Sequence, residues 1–162
     1  PTEDDKYFRN QLIQGDVHDQ TAALFGGVSG HAGLFSNARD LAVLMQLLLN
    51  GGYANGTQLI SEETINYFTS APFADNENRR GIGFDKPDLD PNAKYYTPSK
   101  QSSMLSCGHT GFTGTFAWAD PENQLIVIFL SNRVYPSSDN NKISELNIRT
   151  EIHDLFYKAV AE

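Results

Sequence analysis

The 162 residues suffice for one domain with its own core, and 40% apolar content with ten Phe, seven Tyr and one Trp excludes a disordered tail. Twenty acidic against twelve basic residues leave a net charge of −8, which argues against a nucleic-acid-binding surface. The single Cys107 excludes an internal disulfide and a Cys-built metal cage, and no run approaches the ~18 apolar residues of a membrane-spanning helix.

The chain opens on Pro1 rather than Met, so it reads as a piece of a longer polypeptide whose targeting signal lies upstream. Residues 1–162 are expected to form a single, partial domain. Residues 1–10 are polar and acidic, which predicts a stretch lying along the surface. Gly15 to Asp19 leads into Thr21–Phe25, followed by a loop with four glycines between Gly26 and Gly33. So many glycines imply positive φ angles or close backbone approach. Ser36 or Asn37 can cap the next helix, whose apolar face is Leu41, Leu44, Met45, Leu48 and Leu49. Asn50-Gly51-Gly52 ends it. A shorter helix is predicted over 61–69, capped by Ser61, with Ile65 and Phe68 pointing inward.

Gly81–Asp85 reads as a short strand, and the Pro- and Asp-rich 86–98 as a surface excursion. Strand signals return at 112–119 and at Leu125–Leu130, joined by a turn at Asp120-Pro121-Glu122-Asn123. The unbroken apolar character of 125–130 predicts a central strand covered on both faces. A last helix is expected from about Ile143 to Ala161. The fold class is α+β, an antiparallel sheet of three to five strands with helices on one side.

The most specific stretch runs from Cys107 to Thr115: Cys-Gly-His-Thr-Gly-Phe-Thr-Gly-Thr. It places a polar, glycine-bracketed triplet at the start of an apolar run, as a sheet edge needs where its backbone touches a ligand. His109-Thr110-Gly111 resembles the His-Thr-Gly form of the third box of serine β-lactamases and penicillin-binding proteins. Leu130-Ser131-Asn132-Arg133-Val134-Tyr135-Pro136 resembles the Leu-Ala-Asn-Lys-x-Tyr-Pro that closes the corresponding strand in class C β-lactamases. Gly33-Leu34-Phe35-Ser36 followed by Ala38–Leu41 resembles a helix start found across that superfamily. Val17-His18-Asp19 and Gly30–Gly33 resemble a subfamily of bacterial serine hydrolases and esterases, some of them fused behind glycosidases acting on N-acetylglucosaminides. Together these stretches span roughly residues 15–160.

The resemblance implies a site in which the third-box strand lies along an acyl substrate. His109, Thr110, Gly111 and Phe112 are its implied catalytic wall, the Phe112 amide contributing to an oxyanion hole. His31, Asn132 and Arg133 are the implied substrate-binding residues. No metal and no cofactor are expected. The family's nucleophile lies in a Ser-x-x-Lys box, yet no serine here is followed by Lys three positions on. Tyr53-Ala54-Asn55 and Tyr135-Pro136-Ser137 match the family's Tyr box by letter only. The chain therefore resembles the C-terminal part of a serine hydrolase, expected to be inactive without the polypeptide bearing Ser, Lys and Tyr. Histidine at 109, where Lys is commoner, is only partly charged near neutrality, which favours an esterase, peptidase or amidase over an efficient β-lactamase.

Outside the triplet, His18 and Asp19 are expected to pair and brace the glycine loop, and His31 to sit near the cleft rim. Asn132 and Arg133 are equally open to a substrate anion or an acidic neighbour. His153 is expected at the surface, and Cys107 as a small buried thiol rather than a nucleophile. The partners implied are a small ester, amide or peptidoglycan-like substrate and the preceding segment of the same polypeptide. Self-association is expected where the sheet edge is open. The resemblance implies an extracytoplasmic or periplasmic location. A non-catalytic binding module attached to a cell-wall or amino-sugar glycosidase is the alternative, and a metal- or Cys-dependent hydrolase the third, least favoured by the ligand spacing.

Overall fold

The computed structural model describes residues 1–90, 92–93 and 96–161. The polar, acidic stretch expected along the surface opens instead on a hairpin: β1 (Glu3–Asp5) and β2 (Gln11–Ile13) pair antiparallel, with Glu3 opposite Ile13. Asp5 makes the turn. Its buried carboxylate accepts from the amides of Tyr7, Phe8 and Arg9 at 2.9, 2.9 and 3.0 Å and from Arg9 Nε at 3.0 Å. The Phe8 amide foremost, with those of Arg9 and Tyr7, outweighs burial and holds the carboxyl far below its ordinary range. Acidic composition hid an element built around one acid.

Helix α1 (Gln20–Leu24) begins at Asp19, which accepts from the Ala22 amide at 2.7 Å. Helix α2 (Ala38–Leu49) is capped by Asn37 rather than Ser36, the Asn37 side chain taking the Asp40 amide at 3.1 Å. It stops where Gly51 and Gly52 turn to φ of 59° and 89°. A side chain at Gly52 would collide with the Ile60 carbonyl, so no other residue fits there. Met45 is buried and Leu41, Leu48 and Leu49 half-buried, whereas Leu44 is exposed. A minimal hairpin, β3 (Tyr53–Ala54) with β4 (Thr57–Gln58), leads to α3 (Glu62–Thr69). Ser61 caps α3 by accepting from the Thr64 amide. Ile65 points inward as expected, but Phe68 is exposed, because nothing described packs over that side of so short a helix.

The main sheet has three antiparallel strands, β5 (Cys107–Thr110), β6 (Phe116–Asp120) and β7 (Leu125–Phe129), in that spatial order. Four expectations change. Residues 81–84 form no strand, and only Asp85 bridges to Gly108. Residues 112–115 are a tight turn, so β6 starts at Phe116. The central strand is β6, with β7 at an edge: its apolar run reflects helices on both faces, not strands on both sides. The final helix is two, α4 (Lys142–Glu145) and α5 (Ile148–Ala161), broken where Asn147 adopts a φ of 52°.

Helices cover both faces rather than one. Strand alternation sends Phe116, Trp118 and Asp120 one way and Ala117 and Ala119 the other. The first set meets α5: Phe116 lies edge-on to His153 at 4.9 Å, and Tyr157 donates to Asp120 at 2.6 Å. On the other face α2 lies against β6 and β7, and Leu48, Leu49 and Ile65 share a cleft with Cys107 and Ala119. Phe116, Trp118 and Val127 form the core, with Leu125 and Phe129 packed on it. Each buried side chain of that size contributes roughly 1.5–3 kcal/mol.

His153, expected at the surface, is buried, and its Nδ1 accepts from the Ser99 amide at 3.1 Å. Part of the expected surface excursion is buried too: Lys86, Pro87, Tyr96 and Pro98. Positions 91, 94 and 95 of that excursion lie outside the described residues. No helix among the described residues is long and apolar enough to cross a membrane.

Candidate active site

Strand β5 ends at a free rim. Gly108 spends both main-chain groups on Asp85, donating to its carbonyl at 3.1 Å and accepting from its amide at 2.7 Å. By the two-residue period, the main-chain groups of Thr110 face the same open edge. A side chain at Gly108 would strike the Ala117 carbonyl and Trp118, which is why this position is bare. Cys107 beside it is buried, and burial pushes its thiol up to about 11. A thiol held in its protonated form is not a nucleophile at neutral pH.

His109 is exposed and held at both ring nitrogens. Nδ1 lies 2.7 Å from the Thr110 carbonyl and Nε2 3.3 Å from Arg80 Nη1. A carbonyl can only accept and a guanidinium only donate, so these partners assign the proton to Nδ1 and the lone pair to Nε2. Arg80 reaches this place because its neighbour Arg79 occupies the acid. Arg79 Nη2 lies 2.9 Å from Asp85, and its Nε donates to the same carboxylate at 3.1 Å, leaving Arg80 4.0 Å away. A permanent cation thus stands beside the triplet's histidine.

After Thr110 the backbone folds into a turn over Gly111–Thr115. The Gly111 amide donates to the Thr115 carbonyl at 2.9 Å, and the Gly114 amide to the Gly111 carbonyl at 3.0 Å. A side chain on Gly111 would run into the Thr115 hydroxyl. Two arginines hold the turn from behind. Arg133 Nε donates to the Phe112 carbonyl at 2.8 Å, and Arg149 Nη1 reaches the Gly111 and Thr115 carbonyls at 3.3 and 3.5 Å. Among the described residues the Phe112 amide is engaged in no hydrogen bond. The Phe112 ring is 65% exposed, stacked on His18 at 5.2 Å with the Arg133 guanidinium 4.3 Å from its centre.

The structure brings His109, Thr110, Gly111, Phe112 and Arg133 together and leaves His31 and Asn132 committed elsewhere. Arg133 also donates to the Ser138 and Asn140 carbonyls and to Asn141 Oδ1, so its donors serve the 133–141 loop rather than an acidic neighbour. Asn132 Nδ2 donates to the carbonyls of Pro1 and Thr2 at 3.1 and 2.9 Å. His31 lies exposed in the glycine loop, with Nε2 2.9 Å from Asp19 and Nδ1 3.0 Å from Ser29. The Ala22 amide first, and His31 next, lower the Asp19 carboxyl below its ordinary range.

The expected His18–Asp19 pair is therefore replaced by two others. Asp19 takes His31, and His18 Nδ1 sits 3.0 Å from Glu3 but off the line a hydrogen bond requires. Sequence reasoning missed His18, Arg80 and Arg149 as neighbours of the triplet. Arg80 and Arg149 lie 29 and 38 positions from the atoms they touch, and no local pattern marks them.

Over 138 residues the chain is 41% identical to a protein of Escherichia coli K12 named "Putative D-alanyl-D-alanine carboxypeptidase", and 43% identical to its counterpart in Escherichia coli O157:H7. Each match covers 83% of this chain, and the chain spans 30% of each relative's length. A β-lactamase of Mycobacterium bovis shares the fold with a TM-score of 0.57 at 20% identity, over 77% of this chain and 44% of that one. A sequence model of the β-lactamase family matches residues 2–149, most of this chain and all three strands of the main sheet, and the chain belongs to that family.

Proposed function

We propose that this chain forms one wall of a serine acyl-hydrolase site of the carboxypeptidase or esterase kind. The observation that carries the reading is the turn after Thr110, where the amide of the exposed Phe112 has no hydrogen-bond partner among the described residues and follows an exposed His109 and a half-buried Thr110. When a serine oxygen attacks an ester or amide carbonyl, the carbonyl oxygen gains negative charge. A fixed backbone N–H at that point stabilises it without reorganisation. The attacking hydroxyl and the lysine and tyrosine that handle its proton belong, in this proposal, to preceding polypeptide. The exposed Leu24, Phe25, Val28, Leu34 and Phe35 are the surface assigned to that segment. In its absence they favour self-association. An extracytoplasmic location belongs to the same reading.

His109, Arg80 and the Thr110 hydroxyl are the groups we assign to a substrate carboxylate, such as the chain end of a peptide. The cation that a histidine in place of lysine gives up is supplied by Arg80, whose charge does not titrate near neutrality. That placement favours a carboxypeptidase activity, as in the name the relatives carry, over a purely neutral esterase.

The test is covalent labelling by a fluorophosphonate or a β-lactam, together with burst kinetics on an activated phenyl ester. The 162 residues alone are expected to remain unlabelled, and the polypeptide completed with its Ser-x-x-Lys segment to label stoichiometrically and show a burst. Rapid labelling of the 162 residues alone, or none of the completed polypeptide, overturns the reading.

A further inference from the structure

Two guanidiniums with no acidic partner among the described residues stand behind the turn that carries the Phe112 amide. Among the described residues, every partner of Arg133 and Arg149 is a neutral oxygen or an aromatic face. Half-buried like-charged groups are costly to place. For Arg149, burial first and the charge of Arg133 second lower its hold on the proton, although a guanidinium stays charged at any physiological pH. An arrangement that gains nothing from ion pairing calls for another return.

The peptide unit joining Gly111 to Phe112 provides it. This bond is trans, so its C=O and N–H point in opposite directions. The carbonyl end accepts from Arg149 Nη1 at 3.3 Å and from the Gly114 amide at 3.0 Å. The other end is the Phe112 N–H, free among the described residues and beside the exposed ring. Holding the oxygen from behind aims the hydrogen outward. A donor on the oxygen also withdraws electron density through the amide and makes the hydrogen a stronger donor. Arg133 secures the next peptide unit in the same way, through the Phe112 carbonyl at 2.8 Å.

We infer that Arg149 is a positioning residue for acyl transfer, aiming and polarising the Phe112 amide through the Gly111 carbonyl without touching substrate. The inference rests on the reading of that amide as an oxyanion donor, and deepens it by naming what prepares the donor. An oxyanion donor is worth about 10²- to 10³-fold in kcat, and loss of the group that prepares it forfeits about tenfold of that.

The experiment uses the completed polypeptide and a neutral activated phenyl ester, with kcat and KM measured separately. R149Q is expected to lower kcat about tenfold with KM within about twofold, since an interaction stronger in the transition state acts on kcat. R149K, which keeps a charge and one donor for the Gly111 carbonyl, is expected to recover to within about threefold of the parent. The Phe112 amide proton resonance, assigned by selective ¹⁵N-Phe labelling, is expected to move upfield in R149Q and less in R149K. A kcat for R149Q within twofold of the parent, an R149K no better than R149Q, or an unmoved Phe112 resonance each overturn the inference. Should R149Q fail to fold, R149K alone decides: a kcat lowered two- to threefold with KM steady and a small upfield shift of the Phe112 resonance supports the role, and an unmoved resonance or an unchanged kcat refutes it. No turnover by the completed polypeptide before any substitution defeats the functional reading instead.

Discussion

The two sides of the sheet are built to different standards of closure. Where α5 meets the sheet the large groups are enclosed: Trp118 and Phe116 stack at 5.6 Å, and His153 fits between Phe116 and Tyr157. Asp120 gathers Tyr157, Ser103, Asn123 and two turn amides. Burial works against the Asp120 carboxylate, yet those donors, Tyr157 foremost, hold it at about 2. At the rim, by contrast, the Phe112 ring lies open, its amide has no partner among the described residues, and the glycine loop exposes large apolar side chains. Partnered by so many donors, the buried Asp120 carboxylate favours one arrangement, although Trp118 Nε1 on the same face is buried without a partner among the described residues. A rim left unpartnered is where the molecule can still bind something. Stability and function are thus separated across one three-stranded sheet.

The sharpest way to break the comparison is Trp118→Ala. The indole is completely buried, and its loss is expected to cost about 3–5 kcal/mol in the urea midpoint of this chain. A cost under about 1 kcal/mol would mean that the α5 side is not the main core.

His153 tests the same side through pH. Burial depresses it to about 4 against an ordinary 6.5, with Asp154 and Asp120 opposing. Between about pH 6.5 and 4 the unfolded chain binds a proton that the folded chain refuses, so stability falls as pH falls across that window. The loss amounts to about 3 kcal/mol at most. His153→Gln, which keeps an acceptor for the Ser99 amide, is expected to flatten that slope in urea titrations at stepped pH. An unchanged slope would place the titrating group elsewhere.

At the rim the expected effects are on activity. Arg80→Gln in the completed polypeptide is expected to reduce kcat/KM about tenfold for a phenyl ester bearing a carboxylate on its leaving group, and to leave the uncharged ester unaffected. Equal losses for both esters would make Arg80 a brace of the 79–88 segment rather than a selector. The smallest effect belongs to Leu34→Ser. With the side chain 81% exposed, the stability of this chain should change by less than about 0.5 kcal/mol by the same urea measurement. A loss beyond about 1 kcal/mol would show the glycine loop to be packed after all.

Legibility followed range. The cap at Ser61, the stop at Gly51-Gly52 and the Asp120–Asn123 turn were readable because each signal acts within three or four residues. The N-terminal hairpin was not, because Asp5 does the work of a turn motif with a side chain that composition counts only as charge. Asn147 broke a helix that apolar spacing predicted to be continuous, since Ile143 and Leu146 before it and Ile148, Ile152 and Leu155 after it keep helical spacing across one left-handed residue. The triplet was legible as a box of residue types. What stands around it was not, because the partners come from other elements.

From the sequence alone followed the α+β class, α2 and α3, the pairing of β6 with β7 through their turn, and the boxes that resemble the β-lactamase family. All of these depend on neighbours along the chain or on short strings of residues. Tertiary structure alone decided that β6 is central, that His153 is buried and that His31 rather than His18 pairs with Asp19. It also set Arg80 against His109 and Arg149 behind Gly111. Those outcomes depend on which faces meet when the sheet closes between α2 and α5, and hydrophobic burial fixes that meeting without leaving a local mark at either partner.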